Sequence, residues 1–227
     1  MNTRKPFLAS LLVAGAMMVF AVVTAARLPS DAVLPTHWNA SGQADDWSPA
    51  LQALLMPAGV FAAVAALLAI IPRLEPLQDR LEGSAPVLRA SWIGLGCLFV
   101  IIQLTIGLPA YGIEVPVNMI MLGTGLLLVL LGNALPKSRP GFFVGIRTPW
   151  TITDTDNWIA THRLGGKLFM AAGALIMAVS LVPVGAEPVA IVVLVAVGIA
   201  AGIPVVYSWW LWKRKGPGEG ARRGERT

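Results

Sequence analysis

The chain has 227 residues, of which 56% are hydrophobic and only 13% are charged. A soluble domain carries roughly 25% charged residues, so a soluble fold of this length could not bury so much apolar surface. The charges cluster between long neutral runs, which predicts an all-α integral membrane protein, a six-transmembrane-helix bundle. The single cysteine, Cys97, excludes an intrachain disulfide and a paired thiolate metal site.

The first two predicted spans form a helical hairpin within residues 1–72. Residues 7–26 carry no charge and follow Arg4 and Lys5. A run of this length corresponds to about 30 Å of helix, so we expect a retained span rather than a signal peptide. The second span should begin at Ser48 and Pro49, with Ser48 as the N-cap, and end near residue 71.

Four further spans are predicted along the rest of the chain. Residues 73–135 contain a second hairpin, whose spans each begin at a proline and end near residues 109 and 135. Residues 136–212 contain the fifth span, which is the apolar part of a longer helix, and the sixth. The basic, Gly-rich tail 213–227 is expected to be disordered.

The basic residues predict the orientation. If the N- and C-termini are cytoplasmic, 16 of the 17 Lys and Arg residues lie in cytoplasmic segments and only Arg27 lies outside. This distribution follows the positive-inside rule, so the sequence pI of about 9.9 does not indicate direct nucleic-acid binding.

Several glycines predict close helix packing. Gly198 and Gly202 form a GxxxG pair in the sixth span, and Gly123, Gly125 and Gly173 provide small faces on other spans. Small residues of this kind let two helices approach closely in a membrane.

The connection between the first two spans, residues 27–48, is too long for an ordinary turn and is therefore a candidate site. One interpretation is an aromatic belt with a turn at residues 39–42, in which Asp45 or Asp46 caps the second helix. A metal site would use His37 with these aspartates, but their spacing matches no standard site, so no metal is predicted. The other interpretation is a partner-binding loop.

The connection between the fourth and fifth spans is the second candidate site. Residues 153–156 supply N-caps for a helix that enters the membrane. One interpretation is structural: Arg147 and Arg163 pair with Asp154 or Asp156, while tryptophans anchor the interface.

Two motifs carry a resemblance to a known family. The cytoplasmic motif comprises the stretch GIRTPW at residues 145–150, then Trp158, Thr161, His162 and Arg163. It resembles the signature of the SdpI family, bacterial membrane proteins named for immunity to a secreted killing peptide. The outer stretch LPTHWN at residues 34–39, with Gly42 and Asp45, is similar to a short domain of unknown function that commonly precedes that signature.

The resemblance implies six spans with both ends inside, in the bacterial cytoplasmic membrane. No cofactor is predicted. The resemblance also implies resistance to a secreted membrane-active peptide toxin and, as in the founding member, retention of a transcriptional repressor at the membrane. The expected partner-binding residues of the outer loop are Pro35, His37, Trp38, Asn39, Gly42 and Asp45. The cytoplasmic motif is expected to transmit the binding event or to stabilise the bundle, through Arg147, Thr148, Pro149, Trp150, Trp158, Thr161, His162 and Arg163.

Two other function classes fit the sequence less well. Ion-coupled transport needs ionisable residues at mid-membrane, where these spans offer chiefly Gln103, Asn118 and Asn133. An intramembrane enzyme would have to build its site from one loop, because His37 and His162 are predicted on opposite faces of the membrane.

Overall fold

The computed structural model describes residues 3–75 and 81–215. Within this part of the chain, six helices are long and apolar enough to cross a membrane, which confirms the predicted multi-pass helical bundle. The elements in chain order are α1 (Arg4–Ala25), β1 (Val33–Trp38), β2 (Ala44–Pro49), α2 (Ala50–Leu74), α3 (Leu81–Gly107), α4 (Asn118–Ala134), α5 (Pro149–Thr153), α6 (Thr155–Ser180) and α7 (Ala186–Lys215). Helix α5 is a short non-spanning helix. The expectation of a disordered tail from residue 213 is wrong at its start, because residues 213–215 form the last turn of α7; the rest of that tail, 216–227, lies outside the described residues.

A β-hairpin joins α1 to α2, and the sequence did not predict it. Strands β1 and β2 pair antiparallel, with Val33 opposite Pro49, and the register shifts on either side of His37. The turn expected at residues 39–42 is confirmed: the Gly42 N–H donates to the Asn39 carbonyl at 2.9 Å. Gly42 has φ +76°, a left-handed conformation that glycine adopts without steric cost.

The expected cap at the start of α2 is wrong. Ser48 lies within β2, and Pro49 itself stands in the N-cap position without a side-chain cap. Asp45 and Asp46 do not cap the helix either, because each carboxylate bonds within the hairpin. Strand β2 runs directly into α2, so the hairpin and the helix are one continuous segment.

The bundle has two faces with different connections. We call the end that carries residues 26–49 the hairpin face; Val117, before α4, and Ala186, at the start of α7, lie beside Gly42 there. We call the other end, which carries residues 135–154, the motif face. Assignment of the motif face to the cytoplasm rests on the distribution of basic residues.

The closest helix packing joins α4 to α6 through two pairs of glycines. A Cβ on Gly125 would lie 2.7 Å from the carbonyl oxygen of Gly173, and a Cβ on Gly132 would lie 2.7 Å from that of Gly166. No side chain fits at that distance, so glycine is required where the two backbones meet. The packing role expected for Gly125 and Gly173 is confirmed.

The packing role expected for the GxxxG pair in α7 is wrong for this fold. A Cβ at Gly198 or Gly202 would meet nothing within 4 Å. Both glycines instead line an open groove with Tyr207, Trp209 and Trp210. Helix α7 packs against α6 through a different side, which includes the buried Ala196 and Ala200.

A buried amide ties the first three helices together. The Gln103 side chain of α3 donates to the Met17 carbonyl of α1 at 2.8 Å and to the Leu54 carbonyl of α2 at 2.9 Å. Both amide hydrogens are therefore satisfied in an apolar interior, where an unsatisfied polar group is costly. Gln103 thus has a structural role in the bundle.

Candidate functional site

The exposed surface of the hairpin carries a paired histidine and aspartate. The His37 Nδ1 lies 2.6 Å from the Asp45 Oδ1, and their side chains are 66% and 43% exposed. Trp47, opposite Pro35 in the register, is 52% exposed. The hairpin therefore exposes a carboxylate, an imidazole and a large aromatic side chain on this face.

Other predicted hairpin residues hold the hairpin in place. Trp38 and Leu34 pack against the apolar cluster formed by Ala21, Ala53, Leu54 and Ile106. The Asn39 Oδ1 accepts from the backbone N–H groups of Ser41 and Gln43, which fixes the turn. Trp38 and Asn39 are thus anchors of the loop, while His37 and Asp45 form its accessible surface.

The tip of the hairpin reaches across the bundle. A Cβ on Gly42 would lie 2.5 Å from the Ala186 Cβ and 3.2 Å from the Val117 side chain. The segment between α1 and α2 therefore also contacts the beginnings of α4 and α7.

On the motif face, His162 is the centre of the predicted cytoplasmic motif. Its Nε2 accepts from the Ile146 N–H at 2.8 Å, so this nitrogen carries no proton. Its Nδ1 lies 2.8 Å from the Trp158 carbonyl, which only accepts, so Nδ1 holds the proton. The imidazole is buried, neutral and in a defined tautomer.

Trp158 and Gly145 complete this centre. The Trp158 indole stacks on the imidazole at 4.0 Å between ring centroids, and its Nε1–H donates to Ser138 at 3.2 Å. Gly145 has φ +113°, and a Cβ there would lie 2.5 Å from the His162 Nε2. Since both rings lie against its backbone, only glycine fits at this position, a requirement that was not predicted from the sequence.

Thr148 and Pro149 begin the short helix α5. Thr148 and Thr151 form a reciprocal capping box, with Pro149 in the first turn. The Thr148 hydroxyl also lies 3.1 Å from the Ser208 hydroxyl of α7. The Thr-Pro-x-Thr pattern at residues 148–151 is the sequence signal for this helix start, which was not predicted.

Polar groups of α6 and α7 form a second buried link. The Asn157 side chain donates to the Ser208 carbonyl at 2.8 Å, and its Oδ1 accepts from the Thr161 hydroxyl at 3.0 Å. Trp150 lies beside Trp212, with 5.9 Å between ring centroids. Thr161 and Trp150 thus help join the motif to α7.

The ion pairs expected for Arg147 and Arg163 are wrong. Arg147 is exposed, and its guanidinium donates to the Phe142 carbonyl at 2.6 Å. Asp154 and Asp156 pair instead with Lys215 of α7, at 2.8 Å and 3.4 Å. Lys215 lies 61 residues from Asp154, so no local pattern pointed to it.

Asp154 is also the N-cap of α6, as expected for residues 153–156. Its side chain accepts from the N–H groups of Asp156 and Asn157. Burial raises the pKa of Asp154, but the hydrogen bond from Lys215 and the two backbone N–H groups outweigh it and hold the pKa below its ordinary value.

Glu75, just after α2, was not predicted to belong to the site. Its buried carboxylate accepts from the Phe142 N–H at 3.0 Å and from the Phe143 N–H at 3.2 Å. Arg147 donates to the Phe142 carbonyl, so the peptide group between Phe142 and Phe143 is hydrogen-bonded at both its N–H and its C=O. The loop before α5 is therefore clamped to the end of α2.

These hydrogen bonds and packing contacts position the side chains of both candidate sites. Within the described ranges 3–75 and 81–215, no three His, Cys, Asp or Glu side chains are grouped to hold a metal ion. His37 and His162 lie on opposite faces of the bundle, in agreement with the expectation from topology.

Comparisons with known proteins agree with the two motifs. Residues 137–208 match the model of the SdpI/YfhL protein family, and residues 12–61 match that of a domain of unknown function, DUF1648. The chain is 30% identical over 118 residues to the immunity protein SdpI of Bacillus subtilis (strain 168). The alignment covers 52% of this chain and 56% of that protein. No solved structure matches the chain. Residues 137–208 are therefore similar to the SdpI/YfhL family, and the β-hairpin lies within the preceding stretch that is similar to DUF1648.

Proposed function

We propose that the protein is a non-enzymatic receptor of the immunity type in the bacterial cytoplasmic membrane, conferring resistance to a secreted membrane-active peptide toxin. The observation that carries the proposal is the hairpin, which exposes His37, Asp45 and Trp47 and packs on the bundle through Leu34 and Trp38. The similarity to an immunity protein supports the same class of function. In the predicted orientation, a secreted peptide arrives at this face.

The proposal assigns different roles to neighbouring hairpin residues. His37 and Asp45 are accessible and contribute to binding, whereas Trp38 contributes mainly to folding. Binding energy usually concentrates in a few residues whose truncation costs about 2 kcal/mol or more. A His37→Ala, Asp45→Asn double variant should therefore lose protection at normal membrane abundance, and Trp38→Ala should lose abundance as well.

The experiment is expression of the chain in a bacterium susceptible to a secreted killing peptide, with survival and protein level measured together. Asp46→Asn is the matched control, because Asp46 neighbours Asp45 and bonds only locally, to the Trp47 N–H. Protection by the wild type and the control, but not by the double variant, supports the proposal. Full protection by the double variant would exclude the hairpin as the receptor surface.

The contacts of α7 on both faces of the bundle favour a second role, signalling to a cytoplasmic repressor. The first residue of α7, Ala186, lies against the hairpin tip, and Ser208 and Lys215 bond to the motif near its other end. The test compares transcripts before and after exposure to the peptide. A response in wild-type cells that is lost with Ser208→Ala, at equal protein level, supports signalling; an unchanged response argues against transmission through this link.

A further inference from the structure

The loop at residues 136–149 places its polar backbone inward and its aromatic side chains outward. The N–H groups of Phe142 and Phe143 donate to the buried Glu75, while the two phenyl rings are 47% and 38% exposed. Arg147 bonds the Phe142 carbonyl from the other side. The rings are therefore held outside the protein on a fixed backbone.

The charge of the loop is of one sign. Residues 136–149 contain three basic residues and no carboxylate. Lys137, Arg139 and Arg147 are all exposed. Exposed aromatics among basic residues match the composition of segments that lie on anionic membrane surfaces.

The loop also lies at the level where the spans end. Lys137 is the last residue of the span that contains α4, and the amides of Phe142 and Phe143 meet Glu75 at the end of α2. The candidate spans that contain α2 and α4 therefore both end beside this loop. The rings are thus positioned beside the boundary of the bilayer rather than far into the solvent.

We propose that this loop binds the anionic lipid surface of the adjacent leaflet, with Phe142 and Phe143 inserted among the acyl chains and Lys137, Arg139 and Arg147 bound to lipid phosphates. The site is separate from the hairpin and does not depend on the proposed immunity function. Since vesicles and nanodiscs carry the same lipids in both leaflets, its test does not depend on the predicted orientation either.

The experiment uses the full-length protein in nanodiscs, in a Cys97→Ser background. Phe142→Cys is labelled with an environment-sensitive NBD probe, and Phe143→Cys is the second labelled variant in case the first does not fold. The discs contain phosphatidylcholine alone or a mixture with phosphatidylglycerol, and brominated lipid serves as the quencher. Thr155→Cys is the matched control, because Thr155 is exposed and lies about 18 Å of helix before Lys167, the residue at which the apolar part of α6 is predicted to begin.

We expect emission at shorter wavelength and quenching by brominated lipid at position 142, both stronger in the anionic discs, and neither at position 155. A Lys137→Gln, Arg139→Gln pair should remove the difference between the two lipid mixtures. A water-like probe at 142 and 143 in both discs would overturn the proposal. Equal insertion in both lipids would overturn the anionic assignment, and shielding seen only in native membranes would indicate a protein partner instead.

Discussion

His162 shows how a residue that suggests chemistry serves structure instead. Both imidazole nitrogens are occupied, one by the Ile146 N–H and the other by the Trp158 carbonyl. A ring with no free nitrogen has no lone pair available for proton transfer or metal binding without breaking a bond. We therefore interpret His162 as the group that fixes the Gly145 turn against α6.

Replacing His162 by phenylalanine should preserve the stacking on Trp158 but leave the Ile146 N–H without its acceptor. Loss of an acceptor for a buried donor costs about 1–3 kcal/mol, so the thermal midpoint of the purified protein should fall. Arg163→Gln is the control, because Arg163 is exposed on the same helix. Equal thermal midpoints for wild type and His162→Phe would show that the hydrogen bond from the Ile146 N–H to His162 contributes nothing to stability.

Asp154 combines two roles that substitutions can separate. Asp154→Asn keeps a side-chain oxygen for the helix cap and removes the charge opposite Lys215, whereas Asp154→Ala removes both. Loss of an N-cap costs about 1 kcal/mol, so Ala should destabilise the protein more than Asn. The more exposed Asp156→Asn should have the smallest effect.

The lowered pKa of Asp154 also predicts that the stability of the folded protein decreases at acid pH. A carboxyl group whose pKa is lower in the folded state adds stability above its ordinary value of 3.8 and loses it as the pH falls through the folded pKa. The difference in thermal midpoint between wild type and Asp154→Asn should therefore be constant near neutral pH and shrink below about pH 4. A difference that does not change down to pH 2 would contradict this assignment.

At the scale of elements, hydrophobic runs predicted the six spans because each run satisfies its own backbone in a helix. The hairpin could not be predicted in the same way. Its strands contain Pro35 and the adjacent Asp45 and Asp46, which strands disfavour, and they are held by Trp38 packed on distant helices. Long-range contacts of this kind have no periodic signature in the sequence.

Substitutions at Gly42, at the tip of the β-hairpin, test the packing of the hairpin against α7. Gly42 and Gly112 have nearly the same positive φ, 76° and 75°, but a Cβ at Gly112 meets nothing within 4 Å. Alanine at either site therefore introduces similar backbone strain, and only Gly42→Ala also collides with the Ala186 Cβ. Gly42→Ala should lower the thermal midpoint more than Gly112→Ala.

Removing the colliding atom provides the complementary measurement. Ala186→Gly deletes the methyl group that lies 2.5 Å from the added Cβ. The Gly42→Ala, Ala186→Gly double variant should recover stability relative to Gly42→Ala, beyond the sum of the two single effects. Additive effects would mean that the hairpin tip and α7 are not in contact.

At the scale of the whole molecule, the two matched regions, residues 12–61 and 137–208, contact each other on the hairpin face, and the second region is joined to the end of α2 on the motif face. On the hairpin face, Gly42 of the first region contacts Ala186 of the second. On the motif face, Glu75 holds the amides of Phe142 and Phe143, although it lies in neither matched region. Both motifs were identifiable from local sequence, but Glu75, Ser208 and Lys215 were not, because only the folded bundle brings them to the site.

Glu75 therefore provides the last prediction, which concerns the link between the end of α2 and the second matched region. Glu75→Leu should remove the acceptor of two backbone N–H groups and release the loop, at a cost of about 2 kcal/mol. Phe142 and Phe143 are exposed aromatics, so release should increase chymotrypsin cleavage after them, detected by fragment mass. Glu82→Gln is the control, since Glu82 is an exposed carboxylate in the first turn of α3. Unchanged cleavage in a stable Glu75→Leu variant would show that the loop is held without Glu75.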